Sequence, residues 1–562
     1  MATQAAPKKD RPIWLQEYPA GVPAEIDPEE YSSVADLFEQ SCRRHASRIA
    51  YHWMGVELSY TDMDRLTGDF ASYLLNVLGL RKGDRVAVMM PNCLQYPIAM
   101  FGILRAGMVV VNVNPMYTPR ELEHQLRDSD AKAIVIMENF CHTLQKVVAK
   151  LQLTAVITTE LADMAPFPKN KLINLVVRRV KKAVPDWEIA GTISFTNALG
   201  KGRGKPFRPP GVSNDDTAFL QYTGGTTGLS KGAQLLHRNI VANVLQTYYW
   251  MKPAFRDDTS GEVIITALPL YHIFALTVNC LTFFLFGGKN VLVTDPRDMK
   301  GFVKTLKSHR FTALTGVNTL FTGLLNTPGF ETVDFSNLRL AAGGGAAVLK
   351  ATAEKWYAVT KTQLAEGYGL TETSPVVCFT PIDKLAWNGS VGVPLPSTIV
   401  SLRDDENNEV ALGQPGELCV KGPQVMAGYW NRPEENQRVF TPDGFVRTGD
   451  IATMDERGYI RIVDRKKDMI LVSGFNVFPN EIENVVAMHP GVLECACIGV
   501  PDERSGEAVK VFVVKKDPNL TADELREYCK EQMTGYKVPR FIEFREQLPK
   551  SSIGKILRKD LR

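Results

Sequence analysis

Through the first two-thirds of the chain, short uninterrupted β-branched runs alternate with amphipathic stretches, and this alternation restricts the fold more than any single residue does. The runs are Arg85-Val-Ala-Val-Met-Met90, Val109-Val-Val-Asn-Val113, Ala133-Ile-Val-Ile-Met137, Val263-Ile-Ile-Thr-Ala267 and Asn290-Val-Leu-Val-Thr294. A strand apolar on both faces must be covered on both faces, which is the condition of a parallel sheet flanked by helices. Pro119-Arg-Glu-Leu-Glu-His-Gln-Leu126 reads as one such helix, with Pro119 in its first turn. The pattern predicts an α/β fold with crossover connections. The longest apolar stretch, Ile273 to Gly288, is interrupted by Thr277, Asn279 and Thr282. It falls short of the roughly 20 apolar residues a bilayer span requires, so a buried helix is expected there.

From about Ile399 to Ile462 the segments shorten and turns become frequent, as in Asp405-Glu-Asn-Asn-Glu409 and Gly413-Gln-Pro-Gly416, which predicts a small β-rich subdomain. Beyond Asp464-Arg-Lys-Lys-Asp468 the pattern gives a helix (Pro479 to Met488), strands (Cys495 to Val500 and Val509 to Val514), a helix (Thr521 to Met533) and a strand (Phe541 to Phe544). The expected organisation is a large N-terminal domain over 1–465, made of two α/β subdomains plus the β-rich one. A smaller, mobile α+β C-terminal domain follows over 466–562. A chain of 562 residues exceeds what one hydrophobic core serves, so several packed units are expected. Lys201-Gly-Arg-Gly-Lys-Pro-Phe-Arg-Pro-Pro210 reads as an exposed basic loop between units.

A net charge of +3 gives no global argument for a nucleic-acid partner. Nine scattered cysteines form no disulfide framework and suit a reducing compartment. Alternation puts Cys495 and Cys497 on one face of a strand, as buried thiols rather than metal ligands. Met1 to Arg11 has no apolar signal segment, so a cytoplasmic location is expected.

The apolar run Ala218-Phe-Leu-Gln-Tyr222 leads into Thr223-Gly-Gly-Thr-Thr-Gly-Leu-Ser-Lys-Gly-Ala233. Gly224, Gly225, Gly228 and Gly232 let backbone N–H groups turn toward an anion. Thr223, Thr226, Thr227 and Ser230 add hydroxyl donors, Lys231 adds a point charge, and Tyr222, Leu229 and Ala233 complete the stretch. Lys231 lies between Ser230 and Gly232, so this is not a Walker A loop. On its own such a loop is more often a flexible connection than a phosphate site.

Further blocks follow: Gly343-Gly-Gly345, Glu366-Gly-Tyr-Gly-Leu-Thr-Glu372, Thr448-Gly-Asp450, Asp464-Arg-Lys-Lys-Asp468 and Pro549-Lys-Ser-Ser-Ile-Gly-Lys555. In this order the chain resembles the adenylate-forming (acyl-activating) enzyme superfamily, from about Leu37 to Leu561. The resemblance implies attack of a carboxylate on the α-phosphate of ATP, followed by transfer of the acyl group to a thiol, with ATP, Mg²⁺ and coenzyme A required. It assigns the β- and γ-phosphates to the loop from Tyr222 to Ala233, and Mg²⁺ to Glu372 with Thr226. Adenine and the acyl group fall to Gly343, Gly344 and Gly345, and to Glu366, Gly367, Tyr368, Gly369 and Thr371. Asp450 and Arg465 take the ribose. Lys555 takes the α-phosphate and the substrate carboxylate, although a lysine on such a loop is ordinarily a surface charge. His272 stands beside the reacting carboxyl, with a hydrogen-bonded core histidine as the alternative. Lys467 is the implied hinge, about which the small domain rotates to bring Ser473, Gly474 and Phe475 toward the site for the coenzyme A step.

Within the superfamily, the blocks Arg105 to Pro115, Asp443 to Asp450 and Ile462 to Gly474 are most similar to bacterial long-chain fatty-acyl-CoA synthetases, which activate fatty acids for β-oxidation. One departure is Leu276, where a gated long-chain relative carries Trp. Activation of another carboxylic acid, or loading of a carrier protein, stays open, and a homodimer is allowed for. Finally, Lys169 to Val184 wraps as a helix with Leu172, Ile173, Val176, Val177, Val180 and Val184 on one face and Lys171, Arg178, Lys181 and Lys182 opposite. Two readings fit: a peripheral helix at a membrane surface, or a core-packed helix with a solvated basic face.

Overall fold

The computed structural model describes residues 12–223, 230–255, 261–502 and 504–562. Among the described residues most of the parallel strands fall into two large sheets. One runs Val393–Pro394, Val376–Phe379, Leu364–Gly369, Leu340–Gly344, Ala313–Gly316, Val263–Thr266, Lys289–Leu292, Ile49–Trp53, Val56–Ser59. The other runs Gly428–Tyr429, Lys231–Leu236, Thr217–Thr223, Val109–Asn112, Arg85–Met89, Ala131–Met137, Ala155–Thr159, Ile193–Ser194. Each has a parallel centre and antiparallel pairs only toward its edges. The β-branched runs occupy the central positions and are buried along almost their full length, as two-faced coverage requires.

Residues between Ile399 and Arg465 form a four-stranded antiparallel sheet, as the turn-rich sequence predicts. After it comes a separate sheet containing the long hairpin Val492–Asp502 with Gly506–Lys515, covered by helices Pro479–Met488 and Ala522–Gln532 around its own apolar cluster. Cys495 and Cys497 lie in that cluster, and all nine cysteines are free and buried.

Within the stretch expected as a buried helix, residues 273–285 are helical, with π-helical Ala275–Thr282 running into Phe283–Leu285, and the chain turns at Phe286. Its polar residues are paired inside the core: Thr277 donates to the Ser374 carbonyl at 2.6 Å, and Thr282 and Thr247 share a 2.7 Å hydrogen bond. The segment at 201–210 is mostly exposed, as expected, but departs from a free loop in two ways. A helix persists through Gly202, and Phe207 packs 5.0 Å from the Arg105 guanidinium, so this connection is tied down.

The segment beginning at Lys169 corrects the helical wheel. It is α-helical over Lys169–Leu175 and π-helical over Val176–Val180, so Val184 lies beyond it. Asn174 is buried, accepting from the Ala162 N–H at 2.8 Å, and Arg178 pairs inward with Glu138 and Glu160. Leu172, Leu175 and Val180 face solvent at 62, 55 and 73% exposure, joined by Phe167 at 81%. Apolar and basic side chains (Lys171, Arg179, Lys181, Lys182) are thus exposed together, while Asn174 and Arg178 are drawn toward Ala162, Glu138 and Glu160 and Ile173 packs on the core. Among the described residues no helix is long and apolar enough to cross a membrane.

Candidate active site

Four of the sequence blocks converge because each follows the carboxyl end of a parallel strand, where open α/β sheets leave their crevices. Thr217–Thr223 leads to the Gly/Thr loop, Leu340–Gly344 ends in Gly343 and Gly344, Leu364–Gly369 ends in Tyr368 and Gly369, and Val263–Thr266 leads toward His272. The connection from Thr266 to His272 is mostly buried, so its backbone needs partners. Asn92 donates to the Thr266 and Leu268 carbonyls at 3.0 and 2.9 Å and accepts from the Leu270 N–H at 2.8 Å. Tyr96 donates to the Leu270 carbonyl and Gln221 to that of Tyr271, at 2.8 and 2.7 Å. The second sheet thereby fixes the segment that presents His272. Burial, assisted by the Lys555 ammonium, pulls His272 down to about 4, and its Nδ1 accepts from the Phe274 N–H at 3.3 Å, so the ring is neutral at neutral pH.

Gly224, Gly225, Thr226, Thr227, Gly228 and Leu229 lie outside the described residues, but both flanks of the loop are in place. Tyr222 donates to Asp128 at 2.7 Å, Asp128 is also paired with Arg432, and a side chain at Gly232 would stand 3.1 Å from the Tyr222 ring. His124 Nε2 lies 2.9 Å from the Ser230 carbonyl oxygen. Lys231 is salt-bridged to Glu435 and stands 5.4 Å from the Tyr429 ring centroid, with buried Ala233 two residues further on. The Tyr429 hydroxyl donates to Glu372 Oε1 at 2.6 Å, so one tyrosine links the loop lysine to the candidate metal carboxylate.

On the other wall the backbone passes close to its neighbours. A Cβ at Gly343 would fall 2.4 Å from Val348, and one at Gly369 would fall 2.0 Å from the Pro375 carbonyl oxygen. Gly344 faces Phe274, Gly345 lies nearest Ile553, and Gly367 packs on Phe379. Glu366 is buried and accepts from the Val348 N–H at 3.2 Å, and burial pushes its carboxyl up to about 8. Tyr368 donates to Asp450 Oδ2 at 2.6 Å, and burial together with the Asp450 charge drives its phenol far up. Arg465 completes this group, 3.2 Å from Asp450 Oδ1, because the two face each other across an antiparallel strand pair. Thr371 opens the 3₁₀ turn Thr371–Thr373 that carries Glu372.

Lys555 reaches the same place from the end of the chain. Ser551 N–H donates to the Lys555 carbonyl at 2.7 Å and Gly554 N–H to that of Ser551 at 2.9 Å, closing a tight turn. Burial pulls Lys555 down to about 8; Arg465 pushes the same way and Asp450 opposes it. This lysine is therefore no ordinary surface charge. By contrast Ser473, Gly474 and Phe475 form an exposed turn between two short strands, with Phe475 stacked on Tyr536 at 4.7 Å. Lys467 is exposed between that sheet and the four-stranded one.

The sequence alone does not single out Tyr429, Glu435, Asp128 and Arg432. Each belongs to none of the blocks above and reaches the site through a long-range contact that spacing does not encode.

Strand ends bearing Thr223, Gly344 and Tyr368, joined by a lysine from a separate small domain, define a two-domain nucleotide-dependent enzyme. The AMP-binding enzyme profile matches residues 38–430 and the AMP-binding enzyme C-terminal domain profile residues 481–555; the chain belongs to the AMP-binding enzyme family. It is 58% identical over 550 residues to a long-chain-fatty-acid–CoA ligase of Yersinia pestis, covering 98% of this chain and 97% of the relative. A ligase of the same name from Salmonella typhi is 56% identical, with 98% of both chains covered. Among solved structures, ATP-bound MatB from Rhodopseudomonas palustris superposes with a TM-score of 0.81 at 31% identity, covering 94% of this chain and 98% of that one.

Proposed function

We propose that this enzyme activates long-chain fatty acids to acyl-CoA through an acyl-AMP intermediate, releasing pyrophosphate and then AMP, with products of the kind that enter β-oxidation. The observation that carries the chemistry is the seat of Lys555 beside Asp450, Arg465 and His272, at the mouth of the cleft flanked by Thr223 and Lys231. The substrate class rests on the long-chain-fatty-acid–CoA ligases that align over nearly the whole chain.

In this reading the Tyr222 to Ala233 loop grips the β- and γ-phosphates, and Lys231 exchanges Glu435 for phosphate when ATP enters. Tyr368 and Glu366 with the flanking glycines bound the adenine pocket, and Asp450 with Arg465 holds the ribose. Lys555 neutralises charge as the carboxylate attacks the α-phosphate, an electrostatic contribution strengthened by its burial. Neutral His272 donates or accepts a hydrogen bond without adding charge. Mg²⁺ neutralises phosphate charge when bound, and Glu372 fits it, since this ion takes few carboxylates alongside phosphate oxygens. Glu372 is pre-oriented by Tyr429. We place the domain boundary between 465 and 466 and the hinge at Lys467. The exposed Ser473–Phe475 turn then swings to the site for thiolysis by coenzyme A.

Measuring CoA-dependent AMP release across acids from short to long chain tests this. Turnover rising with chain length supports it; preference for short or aryl acids, or for a phosphopantetheinyl protein over coenzyme A, points to the other adenylate-forming reactions.

The exposed apolar side chains of this segment favour peripheral membrane contact. Exposed Phe167, Leu172, Leu175 and Val180 lie among exposed Lys171, Arg179, Lys181 and Lys182, combining apolar insertion with attraction to anionic lipid. A surface-resident enzyme meets its substrate where long-chain acids partition.

A further inference from the structure

Three residues beyond Lys555, a largely enclosed arginine spans the boundary between the two domains. Arg558 is 14% exposed and opens the last 3₁₀ turn, Arg558–Leu561. On the C-terminal side its Nε and Nη2 donate to the two oxygens of Glu483 at 3.0 and 2.8 Å, and Nη2 also donates to Asn480 Oδ1 at 2.5 Å. Glu483 is itself fixed in that domain by the Cys497 N–H at 2.8 Å. On the N-terminal side Nη1 donates to Asp464 Oδ1 at 2.8 Å. Asp464 is only 1% exposed and also accepts from the Asn480 N–H at 2.8 Å. It belongs to the strand Ile460–Arg465, next to the Arg465 that pairs with Asp450.

We propose that Arg558 is a positioning residue that latches the interdomain arrangement in which Lys555 occupies the site, by bonding Asp464 ahead of the hinge and Glu483 and Asn480 behind it. The proposal rests on the reading above, in which Lys555 serves acyl-AMP formation and the small domain turns about Lys467 before thiolysis. Asp464 and Arg558 lie on opposite sides of that hinge, so rotation separates them. A carboxylate as buried as Asp464 cannot lose its guanidinium without gaining water or a new partner, and that cost falls on the rotated state. Glu483 and Asn480 travel with Arg558, so their bonds survive the rotation and keep the guanidinium aimed. The latch also acts directly on the lysine: Leu557 N–H returns to the Pro549 carbonyl at 2.9 Å, so the turn bearing Lys555 is closed immediately before Arg558. Arg558 thus weights the two-state equilibrium toward adenylation, and its differential bonding to the two states is the source of the bias.

The deciding variant is Asp464→Asn, which removes the charge across the hinge, keeps an acceptor for Asn480 and leaves the Arg558–Glu483 pair intact. Acyl-AMP formation, followed by ATP–pyrophosphate exchange, should slow about 5- to 50-fold. Thiolysis of supplied acyl-AMP by coenzyme A should be unchanged or faster, and trypsin should cleave at Lys466 or Lys467 more readily. Arg558→Lys should fall between wild type and Asp464→Asn. Equal losses in both half-reactions, a larger loss in thiolysis, or no change overturns the latch. Lys555→Ala, measured alongside, separates the two levels. If Lys555→Ala fails to divide the half-reactions, the underlying reading is wrong; if it divides them and Asp464→Asn does not, only the latch is wrong.

Discussion

The hydroxyl of Thr319 donates a 2.8 Å hydrogen bond to the carbonyl of Gly554, so the helix Asn318–Leu325 of the large domain holds the residue immediately before Lys555. A second contact brings Ser552 against the Tyr271 hydroxyl, next to His272. These two contacts seat a turn from the far end of the chain beside the strand-end cleft.

Seating Lys555 in this way has a pH signature. Its folded value of about 8 means that the charged form is lost as pH rises through that value. The kcat/KM for acyl-AMP formation, which reports the free enzyme, should therefore fall above about pH 8. Lys555→Arg, which stays charged, should move that alkaline limb upward, and Lys555→Ala should slow acyl-AMP formation by about 10² to 10³ with little effect on thiolysis. A pH–rate profile of pyrophosphate exchange for the three proteins checks this. An alkaline limb that stays in place in Lys555→Arg assigns it to another group.

The hinge is tested by backbone restriction. Proline fixes φ near about −65°, so Lys467→Pro should trap one arrangement of the domains. Pyrophosphate exchange and coenzyme A transfer should then separate, one retained and the other largely lost. Proportional loss of both would point to misfolding.

Glu366 predicts a stability change with a definite sign. Its folded value of about 8 stands above the ordinary 4.5, so the native state holds a proton that the unfolded chain releases between those values. Its favourable contribution is complete below about pH 4.5 and is lost as pH rises through about 8. Glu366→Gln mimics the neutral acid and should gain on wild type as pH is raised from about 5 to about 8, by on the order of 1–4 kcal/mol. Thermal unfolding midpoints of the two proteins across that range give the result; a constant difference would remove Glu366 from the pH dependence.

Membrane contact is tested on the exposed face alone. Arg178 is left intact because it pairs inward with Glu138. Replacing Leu172 and Leu175 with Ser, and Lys171, Arg179, Lys181 and Lys182 with Glu, should abolish cosedimentation with anionic vesicles. Activity on a soluble medium-chain acid should remain near wild type. Wild-type binding should weaken as salt is raised, since surface attraction is screened. Equal sedimentation of both proteins would show that this face does not meet lipid.

The sequence by itself determined the layered α/β architecture, because runs such as Arg85 to Met90 can be satisfied only by coverage on both faces. It also located the Gly/Thr loop and the Gly343 and Tyr368 blocks, because each of these glycine-rich clusters closes or directly follows a strand-forming run. The partners of those blocks were decided by tertiary structure. Tyr429 and Glu372 are separated by 57 positions and Arg558 and Asp464 by 94, and no local period encodes such pairs. The helix at Lys169–Val180 shows the same division. Its helical character was legible, but which side turns inward was settled by Glu138, Glu160 and the Ala162 N–H. Asn174, buried on that side, would cost more unpaired than an exposed leucine does, so its hydrogen bond fixes the turn of the helix and leaves Leu172 and Leu175 in solvent.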